Sequence, residues 1–459
     1  MALEVRRVMV SPLAAMTDSS TDSMNLDDVA KAIGAVLRRL KDFSRLWRQT
    51  RDAYFQPDDF RLGLQSTITT ARSVTFILQS HKKAIPGFDE WYAGVQETFR
   101  GDPVMKWAVE ARNKLEKQGD LATLSQLRVE LVASYAGHPA TAWTAESVFA
   151  SLGDIRRSIP RHLLDDHVRE HGVLCIQRRW IDGELPDHEI LDALAHVYGR
   201  LAQMVVDLHR HLGVRIPDGG SGTGEHLLLN RLADGRLKSM DVPDDERTIY
   251  IAVSDGRQME IGRIPDVPPS AKVKRLARKR YGKGGWEGLK DARTFSEMAE
   301  VFFKEARRLM LRDGYHLPLM LLWKDGVPLD QIRASPTDRR AKYMMMRDAA
   351  ARAREIGATG VMFISEAWTA RREDLPQSGF AADAERRGEA LVMCAAASDG
   401  EMFTLQAGIT RKRRKTHKVK TLGPTERDNG EVMTLAPFLE VWGKLHLLED
   451  APEVNAASD

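Results

Sequence analysis

The spacing of apolar residues changes sharply after Gly213, and that change limits what the chain can fold into. Up to that glycine the apolar positions recur at three- and four-residue intervals, as amphipathic helices require. Beyond the run Pro217-Asp218-Gly219-Gly220-Ser221-Gly222-Thr223-Gly224 they alternate or bunch into short runs, as strands do. In the first part the pattern predicts helices over 26–40, 62–83, 88–100, 103–118 and 122–136, then a strand over 173–181 and a long helix over 185–212. That last helix would bury Ile190, Leu194, Val197, Leu201, Val205 and Leu208, with Gly213 at its C′ position.

In the second part, Asp234-Gly235 and Asp255-Gly256 each sit between strand-like runs and predict tight hairpins. Thr294 and Glu297 form a capping box for a helix reaching Arg312 and stopped by Gly314. A buried strand over 317–323, a crossover helix over 338–356 and a strand over 360–365 follow, the two strands expected to be parallel. A hairpin around Asp399-Gly400 joins strands 389–397 and 402–411. Phe403, Leu405, Ala407 and Ile409 on the second of these alternate with polar residues. The fold class expected is α+β and multidomain. A helical bundle over 26–216 is followed by a small antiparallel β meander over 225–266, a basic linker over 267–293 and an α/β domain with a mixed sheet over 294–450. The ends, 1–25 and 451–459, are small, polar and expected to be disordered.

A chain of 459 residues, 43% hydrophobic and 29% charged, has the balance of an ordinary soluble protein with ample core. No apolar run reaches membrane-spanning length and no signal-peptide core is present, so no membrane partner is expected. Two cysteines, Cys175 and Cys394, lie in apolar runs. They read as buried inert thiols in a reducing cytoplasm rather than a disulfide framework. No cofactor is implied. The Gly-rich run lacks the strand, the helix and the Gly-Lys-Ser/Thr ending of a phosphate loop, and reads as a junction.

Net charge is only +3, but the cations are clustered. The first cluster contains Lys272, Lys274, Arg275, Arg278, Lys279 and Arg280, with Tyr281 and Trp286 placed to stack on unpaired bases. The second, read as a loop beyond a hairpin strand, contains Arg411, Lys412, Arg413, Arg414, Lys415 and Lys418. Such clusters suit RNA or DNA, and equally a protein partner with acidic patches. Solvated loops without a partner weigh about the same.

Two smaller features carry chemistry in principle. His167-Val168-Arg169-Glu170-His171 has the H-x-x-E-H spelling of inverted zinc proteases, with His167 and His171 on one helix face, but Gly172 follows at once. In Ile364-Ser365-Glu366-Ala367-Trp368, Glu366 would stand at the end of a parallel strand, where α/β sheets bind ligands. An α/β enzyme of unknown class would use it as a base. A structural role, with Glu366 paired to an arginine, is weighed ahead of that. The same segment resembles one found in bacterial proteins of no assigned activity.

Asp102 is a good N-cap, Pro103 fits N1, and Gly119 closes the helix that carries Ala111-Arg112-Asn113-Lys114-Leu115-Glu116-Lys117-Gln118-Gly119. This segment resembles the signature of HEPN-type helical domains, in which Arg, a polar residue and a later His cut RNA. The resemblance covers about a quarter of the chain, from near Phe60 to Leu131. Arg112 and Asn113 fit it, but Lys117 and Gln118 stand where histidine belongs. A protonated lysine is a poor base, so the resemblance implies the fold without the usual chemistry. It further implies a homodimer around Arg112 and a bacterial defence or toxin–antitoxin setting. The expected function is non-catalytic binding of nucleic acid or a partner. The alternative is a metal-independent RNase with an altered site drawn from Arg112, Asn113, Glu116 and Lys117.

Overall fold

In the computed structural model, residues 26–448 are described apart from 120, 122, 136–141, 146–148, 217–227, 229, 260–269, 283–285, 334–335, 377–379, 413–414 and 431. The expectations for the two termini and for the Gly-rich junction fall outside these residues. The chain is α+β and divides into two compact units.

The first unit comprises Met1–Val129, Trp143–Ile159 and Cys175–Ile249. Its described part begins with α1 (Leu26–Asp52), α2 (Pro57–Ser80), α3 (Phe88–Arg100) and α4 (Pro103–Gln118), and α5 (Ile190–His211) follows later. These helices form because their apolar residues repeat at helical spacing, and they stay formed because those stripes meet. Phe43, Trp47, Phe60, Leu64, Tyr198 and Leu201 are among the residues of one continuous core. Each large apolar side chain so buried contributes roughly 1.5–3 kcal/mol. Phe60 stacks on Trp180 with centroids 4.5 Å apart, and Trp47 donates its indole N–H to the Leu191 carbonyl at 3.0 Å. Gly199 on α5 is a close-approach glycine: a Cβ there would meet the Gly235 carbonyl at 2.6 Å.

This core also holds charge. Asp102 caps α4 by accepting from the Val104 and Met105 amides, and it accepts from His196 and Arg200 of α5, both at 2.7 Å. Burial alone would raise the Asp102 carboxyl, but His196 and Arg200 hold it below the usual carboxylate range. Glu189 caps α5 through the Leu191 and Asp192 amides and is 2% exposed. Around it lie the Tyr54 hydroxyl at 3.2 Å and Arg247 at 3.8 Å, while Arg247 pairs with Asp192 at 2.7 Å. Burial pushes the Glu189 carboxyl up to about 7, against the pull of Arg247.

Five strands hydrogen-bond in the order β2-β1-β3-β4-β5: β1 (Thr123–Val132), β2 (Ala142–Ala145), β3 (Val173–Asp182), β4 (Thr248–Ala252) and β5 (Gln258–Met259). The helix expected over 122–136 is therefore corrected to a strand. Ser125, Leu127, Val129 and Leu131 are buried while Gln126 and Arg128 are exposed, the two-residue period of a half-buried strand. β4 and β5 form the hairpin read from Asp255-Gly256, pairing Tyr250 with Met259.

The second unit comprises Glu130–Ala142, Pro160–Leu174 and Tyr250–Asp459. It contains α6 (Ala271–Tyr281), α7 (Phe295–Asp313), β6 (Leu319–Lys324), β7 (Val327–Arg333), α8 (Arg339–Ile356), β8 (Gly360–Thr369), β9 (Gly388–Ala397), β10 (Met402–Lys412), β11 (Lys415–Leu422) and β12 (Glu426–Asp428). The capping box at Thr294 and Glu297 starts α7 as read from the sequence. The seven-stranded sheet runs β11-β10-β9-β8-β6-β7, with β12 also on β10. Its two faces are packed differently. Met320, Leu322, Val361 and Phe363 meet α8 and the helix Ala436–Val441, while Leu321, Trp323, Met362 and Ile364 meet α7.

The expected parallel pairing of strands 317–323 and 360–365 is corrected: β6 and β8 are antiparallel, with Met320 opposite Phe363. The cause is the β6–β7 hairpin at Asp325-Gly326, which reverses the chain before α8. The crossover then returns β8 in the direction of β7. The described residues of the second basic cluster, expected as a loop, are instead the end of β10 and the strand β11, pairing Arg411 with Val419. The first, expected as a linker, forms the helix α6.

Candidate nucleic-acid interface

Ser270 caps α6 by accepting from the Val273 amide at 3.3 Å, and Gly282, with φ of 79°, ends it. No residue of this helix is buried. Successive side chains are about 100° apart around a helix, so Lys272, Lys274, Arg275, Arg278 and Lys279 fall within one arc of about 160°. Val273, Leu276, Ala277 and Tyr281 fall on the other side with Arg280. All five cations of the arc are exposed, and among the described residues none is in an ion pair.

The C-terminal end of α6 is moored. The Arg280 guanidinium donates to Asp313 from Nε at 3.1 Å, and the Tyr281 hydroxyl donates to the other Asp313 oxygen at 2.9 Å. Burial would raise the Asp313 carboxyl, but Arg280 and Tyr281 hold it below its usual range. Arg308 of α7 donates to the Tyr281 carbonyl at 3.3 Å, and Arg312 lies over the Tyr281 ring at 5.7 Å. Tyr281 is thus engaged within the chain rather than presented to bases, and the Trp286 side chain lies outside the described residues.

Asp313 ends α7, and Gly314 caps it. Arg411, from the second cluster, donates to the Gly314 carbonyl at 2.9 Å and to Glu366 at 2.7 Å, and it also bonds Glu389. Two basic segments more than a hundred residues apart are therefore tied to consecutive residues at one end of α7. Arg411 itself is used up by this bonding. Lys412, Lys418 and Lys420 of the hairpin remain exposed, whereas Val419 is buried. Arg413 and Arg414 lie outside the described residues, as does the side chain of Lys415.

The other expected sites are placed as follows. Glu366 accepts from the His316 amide at 2.7 Å and from Arg411 in a half-exposed salt bridge. The Glu366 carboxylate is thus engaged with an arginine at the end of β10. Arg112 pairs with Glu116 and donates to Asn113, and Lys117 is exposed. His167 lies against the Ala133 carbonyl at 2.9 Å, and the His171 imidazole accepts from Arg339 at 3.0 Å. Among the described residues no group of three or more histidines, cysteines or acids is arranged to hold a metal. Neither cysteine is in a disulfide and both are half-buried, and burial pushes the Cys394 thiol up. Among the described residues no helix is long and apolar enough to cross a membrane.

Sequence reasoning missed Asp313, Arg312 and the exposed Tyr315, which bracket the junction of the two basic segments. Their only signal was position: they flank the glycine that stops α7.

Comparison with known proteins replaces the HEPN reading. The family model described as bacteriophage lambda protein ea47 matches residues 27–455. Protein ea47 of Escherichia phage lambda is 32% identical over 341 residues, covering 72% of this chain and 78% of that protein. No solved structure matches the chain. Neither match indicates a HEPN-like family, so that resemblance is corrected, and with it the bacterial defence setting that it implied. The physical reason lies at the end of α4, where the chain enters the strand β1 rather than another helix and Arg112 is neutralised by Glu116. The chain belongs to the bacteriophage lambda protein ea47 family.

Proposed function

We propose that this protein binds nucleic acid through α6, with the exposed lysines of the β10–β11 hairpin extending the contact. One observation carries the reading: five exposed cations on one arc of α6, with no acid partner among the described residues, on a helix moored to the chain at its other face. Unneutralised cations in an array release counterions when phosphates replace solvent, which makes such a surface favour polyanions. An ordinary solvated helix would instead carry acids at three- and four-residue spacing to its cations, and α6 has none. Nothing in this surface reads bases, so the binding expected is to the backbone and insensitive to sequence.

The test is a gel shift of the full chain with short single- and double-stranded RNA and DNA at several salt concentrations. For duplex DNA, five phosphate contacts correspond to a slope of about −4.5 in log K against log salt. A shift that disregards salt, or that survives K272E/R275E/K279E, would overturn the reading.

A further inference from the structure

The helical unit contains a cavity of about 360 Å³ between α2, α3, α4 and α5. We propose that it is a binding site for a small amphipathic anion, a carboxylate carried on an apolar body. Its size is that of a small-molecule pocket between bundle helices. The floor is apolar: Ile68, Ala71, Met105, Val197 and Leu201 line it, and all five are buried. Water held against such a floor finds few partners, whereas an alkyl chain or a ring gains the burial of its own apolar surface there.

The polar groups sit on one wall and at the lip. On the wall, the buried Tyr92 hydroxyl accepts from the Gln79 amide at 3.0 Å, with Thr75 beside them. At the lip stand Arg72, Arg100 and Lys106, against a single acid, Glu110. Arg100 is spoken for by Glu97 at 3.1 Å. Among the described residues Arg72 donates only to the Thr75 hydroxyl, at 3.3 Å, and it lies over the Phe76 ring at 4.5 Å. Among the described residues neither Arg72 nor Lys106 is in an ion pair. A half-buried guanidinium held over a ring, with N–H groups unused beside an apolar hollow, is suited to take a carboxylate in charge-assisted bonds. A neutral or cationic amphiphile would leave those donors unmet.

The probes are sodium decanoate, decanol, decyltrimethylammonium and 2-naphthoate, titrated by calorimetry into the full chain. Saturable binding is expected of decanoate, with decanol about tenfold weaker and the ammonium compound weaker still. R72Q/K106Q should bring decanoate down to the level of decanol without moving decanol itself. V109W, at the lip, should close the cavity to both, with circular dichroism and thermal unfolding confirming that each variant is folded. If 2-naphthoate binds with the same dependence on Arg72 and Lys106, the anion site stands and its apolar body is a planar ring. Equal affinity for decanoate and decanol, binding untouched by V109W, or no saturable binding of either anion at millimolar concentration would overturn the proposal.

Discussion

In the unit that holds Glu189, cations and carboxylates are taken inside and set against one another. In the unit that holds α6, the densest cations stand outside with no acid opposite. The buried Glu189, Tyr54 and Arg247 form one contiguous group with the half-buried Asp192, and the buried Asp102 is held by the half-buried His196 and Arg200. Such interior groups must be matched by partners within the chain, because a buried charge left alone is costly. The α6 arc is under no such demand, since its five cations are exposed. Matched charge in the core therefore speaks to the fold, and unmatched charge on the surface speaks to a partner.

The largest effect that would test this contrast is expected inside. Arg247→Ala leaves the Glu189 carboxyl buried without its cation and should destabilise the helical unit by about 3–5 kcal/mol at about pH 9, where that carboxyl is ionised, read by thermal and denaturant unfolding. A loss below about 1 kcal/mol would mean that the interior does not depend on its pairs. Next is the surface: K272E/R275E/K279E should weaken binding to duplex DNA at least about a hundredfold at low salt, with no change in Tm. A fall in Tm as large as that of the core variant would show that α6 belongs to the fold rather than to a partner.

A pH effect of intermediate size follows from Glu189. Its folded pKa of about 7 lies above the ordinary value of 4.5, so the unfolded chain gives up this proton first. Its stabilising contribution is full below about pH 4.5 and is lost as pH rises through about 7, by roughly 3 kcal/mol. Glu189→Gln should flatten that window in unfolding measured across pH, and an unchanged slope would remove the assignment. The smallest effect concerns the mooring. Asp313→Asn frees Arg280 and Tyr281 and should weaken nucleic-acid binding only about threefold, because the helix loses its fixed placement but none of its arc.

Much of the fold was legible from spacing and caps. Asp102, Pro103 and Gly119 mark out α4, Thr294 with Glu297 starts α7, and Asp399-Gly400 turns β9 into β10, each by a local rule about backbone donors or positive φ. The segment 122–136 was misread because its leucines and valines fit a short helix stripe as well as a strand face. The pairing of β6 with β8 was misread because the hairpin to β7 lies between them, and a crossover alone does not say which strand it serves.

By itself, then, the sequence determined the α+β class, the helix ends and the existence of two basic segments, since each depends on residues within a few positions of one another. The tertiary structure alone decided what those residues do. It turned one basic segment into an exposed one-sided helix, committed Arg411 to Glu366, Glu389 and Gly314, and brought both segments to the end of α7. It also surrounded Glu189 with residues from distant parts of the chain. Exposure and ion pairing are properties of neighbours in space, and neighbours more than a hundred residues apart leave no mark on local spacing.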